Sequence, residues 1–139
     1  MKKDVVFCLS IFVAGCNSST SSEDDFQKEW QAKNIQFYSF EYKETGFTPI
    51  AGDAWEIQVA DGEVIYVNYT GTGTPEAVLS AETAPTIDEL FTRMKDCKAK
   101  PECDITLVEY DKINAYPIQY NESYGSEGAG FEVFNFVVQ

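Results

Sequence analysis

The 139-residue sequence contains no histidine. This absence excludes Ser-His and Cys-His nucleophile pairs, an imidazole general base and every histidine-ligated metal site. Positive charge is also scarce, because 10 Lys and Arg face 23 Asp and Glu, for a formal net charge of −13. Binding to phosphate depends on clustered Lys and Arg, so we expect no nucleic-acid partner. A cationic or neutral partner is expected instead.

Apolar residues are plentiful. Hydrophobic residues make up 44% of the chain and aromatic residues 14%. A disordered acidic chain would contain far fewer of both. The length suits one domain, so we expect one packed core.

Residues 1–15 are predicted to be a lipoprotein signal peptide. A short basic segment, residues 1–3, precedes the apolar run 5–14. This run is too short to span a bilayer, which needs about 20 residues. Residues 13–16 resemble the bacterial lipobox, in which the cysteine is lipid-modified. The alternative is an ordinary apolar N-terminus with a chance Gly-Cys. We predict acylation at Cys16, which anchors the protein to a membrane of the bacterial cell envelope.

The residue after this cysteine bears on the location. Asn17 is not the aspartate that retains lipoproteins at the inner membrane of enteric bacteria. We therefore expect the outer membrane, with the protein facing the periplasm. Residues 16–25 are predicted to be the lipidated cysteine and a flexible polar tether, and residues 26–139 a single domain.

Two cysteines remain for the domain, Cys97 and Cys103, because Cys8 leaves with the signal peptide. In an exported chain such a pair indicates a disulfide. A loop of this size contributes roughly 2 to 2.5 kcal/mol on the chain-entropy model. A metal site needs more ligands than two thiols, and a redox pair normally shows Cys-x-x-Cys spacing.

The first half of the domain is predicted to hold a helix and three strands. The helix covers residues 24–34, N-capped by Ser22, and carries Phe26 and Trp30. Strand alternation follows in Tyr38, Phe40 and Tyr42 and again in Trp55, Ile57 and Val59. A three-residue loop, 60–62, then closes a hairpin. The returning strand is predicted to place three apolar side chains on the face of Trp55: Ile65, Val67 and Tyr69.

Residues 70–75 form a Gly-rich loop that lacks the Lys of a phosphate-binding loop. A capping box at Thr86–Glu89 then predicts the start of a second, amphipathic helix. One face of this helix is apolar, and Phe91 is predicted to face Trp55 in the core. Four cations near its end are interpreted as complements of the helix dipole: Arg93, Lys95, Lys98 and Lys100.

The C-terminal part is predicted to hold three strands, at 105–111, 117–121 and 131–138, with a turn at 112–116 and a loop at 122–130. The last strand is apolar on both faces, with Phe131 and Val133 opposite Phe134, Phe136 and Val138, as expected of a central strand. We therefore predict an α+β two-layer sandwich in the order α-β-β-β-α-β-β-β. Its antiparallel sheet has about five to six strands, with two helices on one face.

Five motifs occur in this order along the domain: Trp30 in the first helix, Tyr38-x-Phe40-x-Tyr42, residues 59–64, residues 86–91, and residues 108–111 followed by Tyr116-Pro117. Their order resembles the bacterial domain-of-unknown-function family 6174. The resemblance implies an uncharacterised secreted protein or lipoprotein and brings no catalytic residues. Ala115 stands where the family usually has Gly, and the cysteine pair follows the second helix rather than lying near the first hairpin. The resemblance therefore supports neither that turn nor the disulfide.

Two function classes follow from these observations. We expect a non-enzymatic module that binds an envelope protein or small ligand, with Tyr116 and Tyr124, exposed on turns, as candidate binding residues. The alternative for Tyr116 is that it packs on Pro117. The alternative is a hydrolase using carboxylates and tyrosine, for which the candidates are Glu109, Tyr110, Asp111 and Tyr116. No catalytic residue is assigned under the first reading. A third, lesser possibility is divalent cation binding, since oxygen-rich acidic loops suit Ca²⁺, but no Asp-x-Asp-x-Asp-Gly loop occurs. No cofactor and no metal ligand are therefore assigned.

Overall fold

The computed structural model describes residues 22–139. The predicted signal peptide, Cys16 and residues 17–21 of the predicted tether lie outside this range. The element order confirms the prediction. The elements are α1 (Glu23–Lys33), β1 (Phe37–Gly46), β2 (Ala54–Ala60), β3 (Glu63–Tyr69), α2 (Ile87–Lys98), β4 (Cys103–Tyr110), β5 (Pro117–Tyr124) and β6 (Glu127–Val138). Neither helix in this range is long and apolar enough to cross a bilayer.

The strands form one open antiparallel sheet in the order β3-β2-β1-β6-β5-β4. Tyr38 of β1 shows which face the helices cover. Its ring meets Trp30 of α1 edge-on at 5.4 Å, and its hydroxyl accepts a hydrogen bond from the Ile87 amide of α2. Both helices therefore lie on the same face. The opposite face is uncovered within the described chain, and β6 is central as predicted.

Helix α1 begins at Glu23, one residue before its predicted start and three residues before Phe26, the first residue of the predicted domain. A capping box joins Ser22 and Asp25, and residues 23–25 place three acidic side chains in the first turn. Negative charge there complements the exposed amides of the helix start. Residues 23–25 of the predicted tether are thus helical. The helix ends at Asn34, whose φ of 50° is left-handed.

The β2–β3 hairpin forms as predicted, but its turn and one side chain differ. Asp61 and Gly62 alone form the turn, both with positive φ, as two-residue hairpins require. The register shifts next to Val59, which pairs with Val64. This bulge leaves Ile65 62% exposed, so its predicted place on the core face was wrong.

Helix α2 confirms its capping box and its apolar face. Thr86 accepts a hydrogen bond from the Glu89 amide, and the buried residues are Ile87, Leu90, Phe91, Met94 and Cys97. Phe91 and Trp55 are both buried, but they do not form the predicted pair. Phe91 stacks on Tyr110 of β4 at 6.2 Å, four strands away from β2. Helix α2 thus covers the β4 side of the sheet.

The predicted loop at 122–130 is a strand pair instead. β5 continues to Tyr124, and a two-residue turn with Gly125 at φ 63° leads into β6. Gly130 allows close packing between strands, because a Cβ there would lie 2.1 Å from the Tyr120 carbonyl oxygen. The glycines of this segment predict a loop because glycine usually interrupts strands, so the prediction was wrong here.

A second irregularity changes the phase of β6. The pairing with β1 shifts between Ser39 and Glu41, opposite Asn135, whose φ is 50°. Phe136 consequently turns to the helix-covered face and stacks on Tyr38 at 5.5 Å. The prediction that Phe136 lies on the second face was wrong, because a bulge moves every later side chain to the other side. Val138, also predicted there, is half exposed.

The predicted disulfide is confirmed. Cys97 of α2 and Cys103 of β4 are bonded, with 5.2 Å between their Cα atoms. Both residues are buried. The bridge therefore fastens the end of α2 to the start of an edge strand.

Candidate functional site

A row of five side chains, four of them polar, crosses the uncovered face of the sheet. Strand pairing aligns Ala54 of β2, Lys43 of β1, Glu132 of β6, Gln119 of β5 and Glu109 of β4. Neighbouring strands lie about 4.8 Å apart, so the row is about 19 Å long. Five strands thus contribute one side chain each to the same line.

A groove of about 490 Å³ lies along this row. Its apolar part includes Ile118 and Phe134, and Gly52 borders it from the loop between β1 and β2. The register shift between Glu109 and Tyr110 leaves Ile118 as an extra residue of β5. A central strand residue, Phe134, remains only half-buried here because no helix covers this face.

The charge of the groove is negative, since Lys43 is the one cation against Glu109 and Glu132. Strand β5 separates the two carboxylates, whose backbones are therefore about 10 Å apart. Two carboxylates at this distance can flank a positively charged group of a ligand. The apolar residues of the groove can contact an apolar group of the same ligand. Sequence reasoning named Glu109 but missed Glu132, because their alignment depends on strand order.

A second cluster, closed and on the helix-covered face, surrounds Arg93 of α2. Its guanidinium donates to Glu44 of β1 at 2.8 Å and to Glu122 of β5 at 3.0 and 3.2 Å. The remaining oxygen of Glu44 accepts from the Tyr42 hydroxyl, and that of Glu122 accepts from the Tyr120 hydroxyl at 2.7 Å. Every carboxylate oxygen therefore has a partner.

The electrostatics of the cluster keep Arg93 charged and its two tyrosines, Tyr42 and Tyr120, protonated. Burial raises the pKa of Tyr42 well above its usual value, and the charge of Glu44 adds to this. Burial and Glu122 do the same for the pKa of Tyr120. Burial alone would lower the pKa of Arg93, but the nearby carboxylates raise it. The cluster is therefore a fixed link between α2 and the sheet.

Sequence reasoning missed this cluster. Arg93 had been interpreted with Lys95, Lys98 and Lys100 as a complement of the helix end. Its carboxylate partners lie 49 and 29 residues away in sequence, so no local spacing reveals them. The sequence held one signal of this cluster: a charged residue, Arg93, directly precedes the apolar residue Met94 in a helix whose buried residues are apolar.

One group of potential metal ligands occurs in the described residues. Cys97, Cys103 and Glu122 place their ligand atoms within 4.8 Å of one another. The two sulfurs are bonded to each other, and a metal ligand must be a thiolate. The group therefore offers only the Glu122 carboxylate, whose two oxygens Arg93 and Tyr120 already engage.

The two tyrosines of the predicted hydrolase site lie on the opposite face of the sheet from Glu109. Glu109 is exposed on the uncovered face, whereas Tyr110 points to the helix side and stacks on Phe26 at 4.1 Å. Asp111 accepts hydrogen bonds from the Ile113 and Asn114 amides in the following turn. Its carboxylate thus holds this turn.

The two candidate binding tyrosines differ. Tyr116 is buried and stacks on Phe136 at 4.4 Å, so its predicted exposure was wrong. Ala115, with φ 64°, turns the chain so that Tyr116 enters the core. Burial raises the pKa of Tyr116 to about 12. Tyr124 is exposed at the end of β5, where the Lys100 ammonium lies 6.0 Å from its ring centroid.

Comparison with known proteins gives one match. The profile of a family of unknown function, DUF6174, matches residues 23–138. No curated protein and no solved structure matches the chain. The match begins with the first residue of α1 and ends with the last residue of β6, so it covers every element of the fold. The chain therefore belongs to the family of unknown function DUF6174.

Proposed function

We propose that this protein is a lipid-anchored, non-enzymatic binding module of the bacterial cell envelope. Its ligand is an envelope protein or a small molecule that carries a cationic group beside an apolar one. The observation that carries the proposal is the groove on the uncovered sheet face, with apolar residues along a row containing Glu109 and Glu132. The ligand lies across β5, with its cationic group between these two carboxylates.

The lipobox supports the location. Acylation of Cys16 attaches the chain to the outer membrane on its periplasmic side. Helix α1 begins at Glu23, seven residues later, and seven residues span at most about 25 Å. The domain therefore works close to the bilayer and meets ligands on or near that membrane.

Charge supports the class of ligand. Residues 22–139 contain 8 Lys and Arg against 22 Asp and Glu. Such a domain attracts cations at long range and repels phosphate. Glu109 lies on the uncovered face whereas Tyr110 and Tyr116 pack against α1, which favours binding over the hydrolase alternative.

The test is photo-crosslinking in living cells. A photo-reactive amino acid replaces Gln119, which lies between Glu132 and Glu109 in the row, and a matched variant carries it at Ala32, exposed on α1. The proposal expects a defined adduct from position 119 that position 32 does not give. The adduct should contain a Lys- or Arg-bearing segment at the crosslink, identified by mass spectrometry.

Charge reversal provides the second arm. Glu109→Lys with Glu132→Lys should abolish the adduct because like charges then face the ligand. Glu29→Lys with Asp96→Lys makes the same change of charge on the exposed faces of the helices and should leave the yield of the adduct unchanged. Equal adducts from both double variants would refute the groove as the site. Turnover of a glycan or ester by the wild type that Glu132→Gln abolishes would refute the non-enzymatic assignment.

A further inference from the structure

Strand β3 forms one edge of the sheet and is unusually open. Its backbone pairs with β2 on one side, and within residues 22–139 no other backbone hydrogen bonds involve Glu63–Tyr69. Edge strands are commonly protected by lysine, proline or inward-pointing charge. After Glu63, this strand reads Val-Ile-Tyr-Val-Asn-Tyr and contains none of these. Its protection is limited to the single bulge at Ile65.

The bulge gives the edge an apolar contact surface. Tyr66 pairs with Gln58 and Val64 pairs with Val59, so Ile65 is the additional residue between them. Ile65 is 62% exposed and Tyr66 45% exposed. Two neighbouring apolar side chains thus stand at the free edge, where a strand laid beside β3 would cover them.

An acidic pocket lies at the start of the same strand. It has a volume of about 300 Å³ and includes the carboxylate residues Glu63, Glu82 and Glu89. The Glu89 carboxylate accepts hydrogen bonds from the Thr86 amide and hydroxyl at the helix cap. Within the described residues, no hydrogen bond engages the carboxylates of Glu63 and Glu82. No Lys or Arg occurs anywhere between residues 44 and 92, which contain nine Asp and Glu. This end of the molecule therefore has a strongly negative field.

We propose that the β3 edge binds an extended, basic and apolar polypeptide segment by strand addition. The segment pairs its backbone with the outer edge of β3. Its Lys or Arg side chain enters the acidic pocket beside Glu63 and Glu82, and an apolar side chain covers Ile65 and Tyr66. Main-chain hydrogen bonds supply affinity, and the pocket selects the positive side chain.

A second copy of the chain fits this edge poorly. Two β3 edges side by side would bring together two regions that contain only negative charges, and the domains repel each other at long range. The site is also separate from the groove, since the two share no lining residue. Loss of peptide binding at the β3 edge would therefore leave ligand binding in the groove unaffected.

The experiment uses the full-length chain in a zwitterionic detergent and a defined probe peptide. The probe alternates Lys and Val over about eight residues, a typical strand length, and its control alternates Glu and Val. Amide hydrogen exchange, read on fragments, should show new protection in residues 63–69 with the Lys probe and none with the Glu probe. Protection confined to other strands, or equal protection by both probes, would overturn the proposal.

Two variants of equal charge change identify the edge. Ile65→Lys should weaken binding of the Lys probe about tenfold or more, because it places a positive charge beside the lysines of the probe. Thr106→Lys adds the same charge to β4, the other edge strand, and should change affinity less than about twofold because it is remote from the bound probe. Glu82→Gln should weaken binding without altering thermal unfolding. Undiminished affinity in Ile65→Lys, or a concentration-dependent dimer that already protects β3, would overturn strand addition by a basic segment.

Discussion

The ring of Tyr110 stacks on the ring of Phe26, with 4.1 Å between centroids and 5° between planes. The ring of Phe91 stacks on Tyr110 as well, at 6.2 Å. One side chain of the edge strand β4 therefore contacts both helices. Aromatic pairs of this kind add about 0.5 to 1.5 kcal/mol beyond the area they bury.

Phe91→Ala should lower the free energy of unfolding by about 3 to 5 kcal/mol, because it leaves a cavity beneath α2. Phe91 is fully buried, whereas Phe47 is 89% exposed and offers the same substitution as a control. Phe47→Ala should stay within about 0.5 kcal/mol of wild type. Denaturant midpoints measure both. A loss under about 1 kcal/mol in Phe91→Ala would place its ring outside the core.

Arg93→Met should cost about 3 kcal/mol, since it leaves Glu44 and Glu122 without their cation. The methionine retains much of the apolar stem, so the loss reports the charge. Lys95→Met makes the same change at an exposed position of α2 and should be nearly neutral. Equal midpoints for the two variants in a denaturant titration would contradict the fixed link described for Arg93.

Alkaline pH should destabilise the fold. Burial raises the pKa of Tyr38 and of Tyr116 to about 12 and raises that of Tyr42 and Tyr120 further. Tyrosines in the unfolded chain ionise near pH 10, so above that value the unfolded state releases protons that the folded state retains. Stability should be complete below about pH 10 and fall as pH rises toward 12 and beyond.

Denaturant unfolding at a series of pH values, with phenolate absorbance as a second signal, measures this effect. Tyr116→Phe should reduce the slope of stability against pH. Tyr66→Phe changes an exposed ring and serves as its control. A slope that Tyr116→Phe leaves unchanged would show that this phenol is not shielded in the folded state.

Ala115→Gly should stabilise the protein by about 0.5 to 1 kcal/mol. Ala115 has φ 64°, and a left-handed conformation costs a residue with a Cβ roughly 1 to 2 kcal/mol, part of which the greater freedom of unfolded glycine offsets. Ala99, with φ −76°, provides the control, because Ala99→Gly gains no such relief and should destabilise. Thermal unfolding of both variants gives the comparison. A lower melting temperature for Ala115→Gly would count against strain at this turn.

Cys16→Ser should abolish acylation and leave an unprocessed or soluble protein, because serine lacks the thiol that accepts the lipid. Metabolic labelling with a palmitate analogue, followed by membrane fractionation, measures this. Cys8→Ser removes a cysteine of the predicted signal peptide and should be labelled like wild type. Label retained in Cys16→Ser would refute the lipobox.

Sequence patterns predicted the elements whose side chains follow a regular period. Tyr38, Phe40 and Tyr42 alternate without interruption and are all buried. The Thr86–Glu89 capping box lies within one helical turn, so its spacing alone defines the start of α2. In these cases the interacting groups are close in sequence.

The features that sequence reasoning missed depend on distant partners. Bulges beside Ile65 and Asn135 arise from pairing with another strand, and each reverses the side chains that follow. Gly130 is needed because the Tyr120 carbonyl passes close by, which a local glycine count cannot show. The groove row has the same origin, since Glu109 and Glu132 align only once β5 lies between their strands.

The position of β6 also determines when the protein can fold. It is the last strand in the chain order, yet it joins the β3-β2-β1 half of the sheet to the β5-β4 half. Until residues 127–138 have been synthesised, β1 and β5 have no common neighbour, and Arg93 has no completed sheet to bridge. Nearly the whole domain must therefore leave the ribosome before the sheet is complete. The contacts that complete it join residues far apart in the sequence. Folding of this domain is a late event in its synthesis.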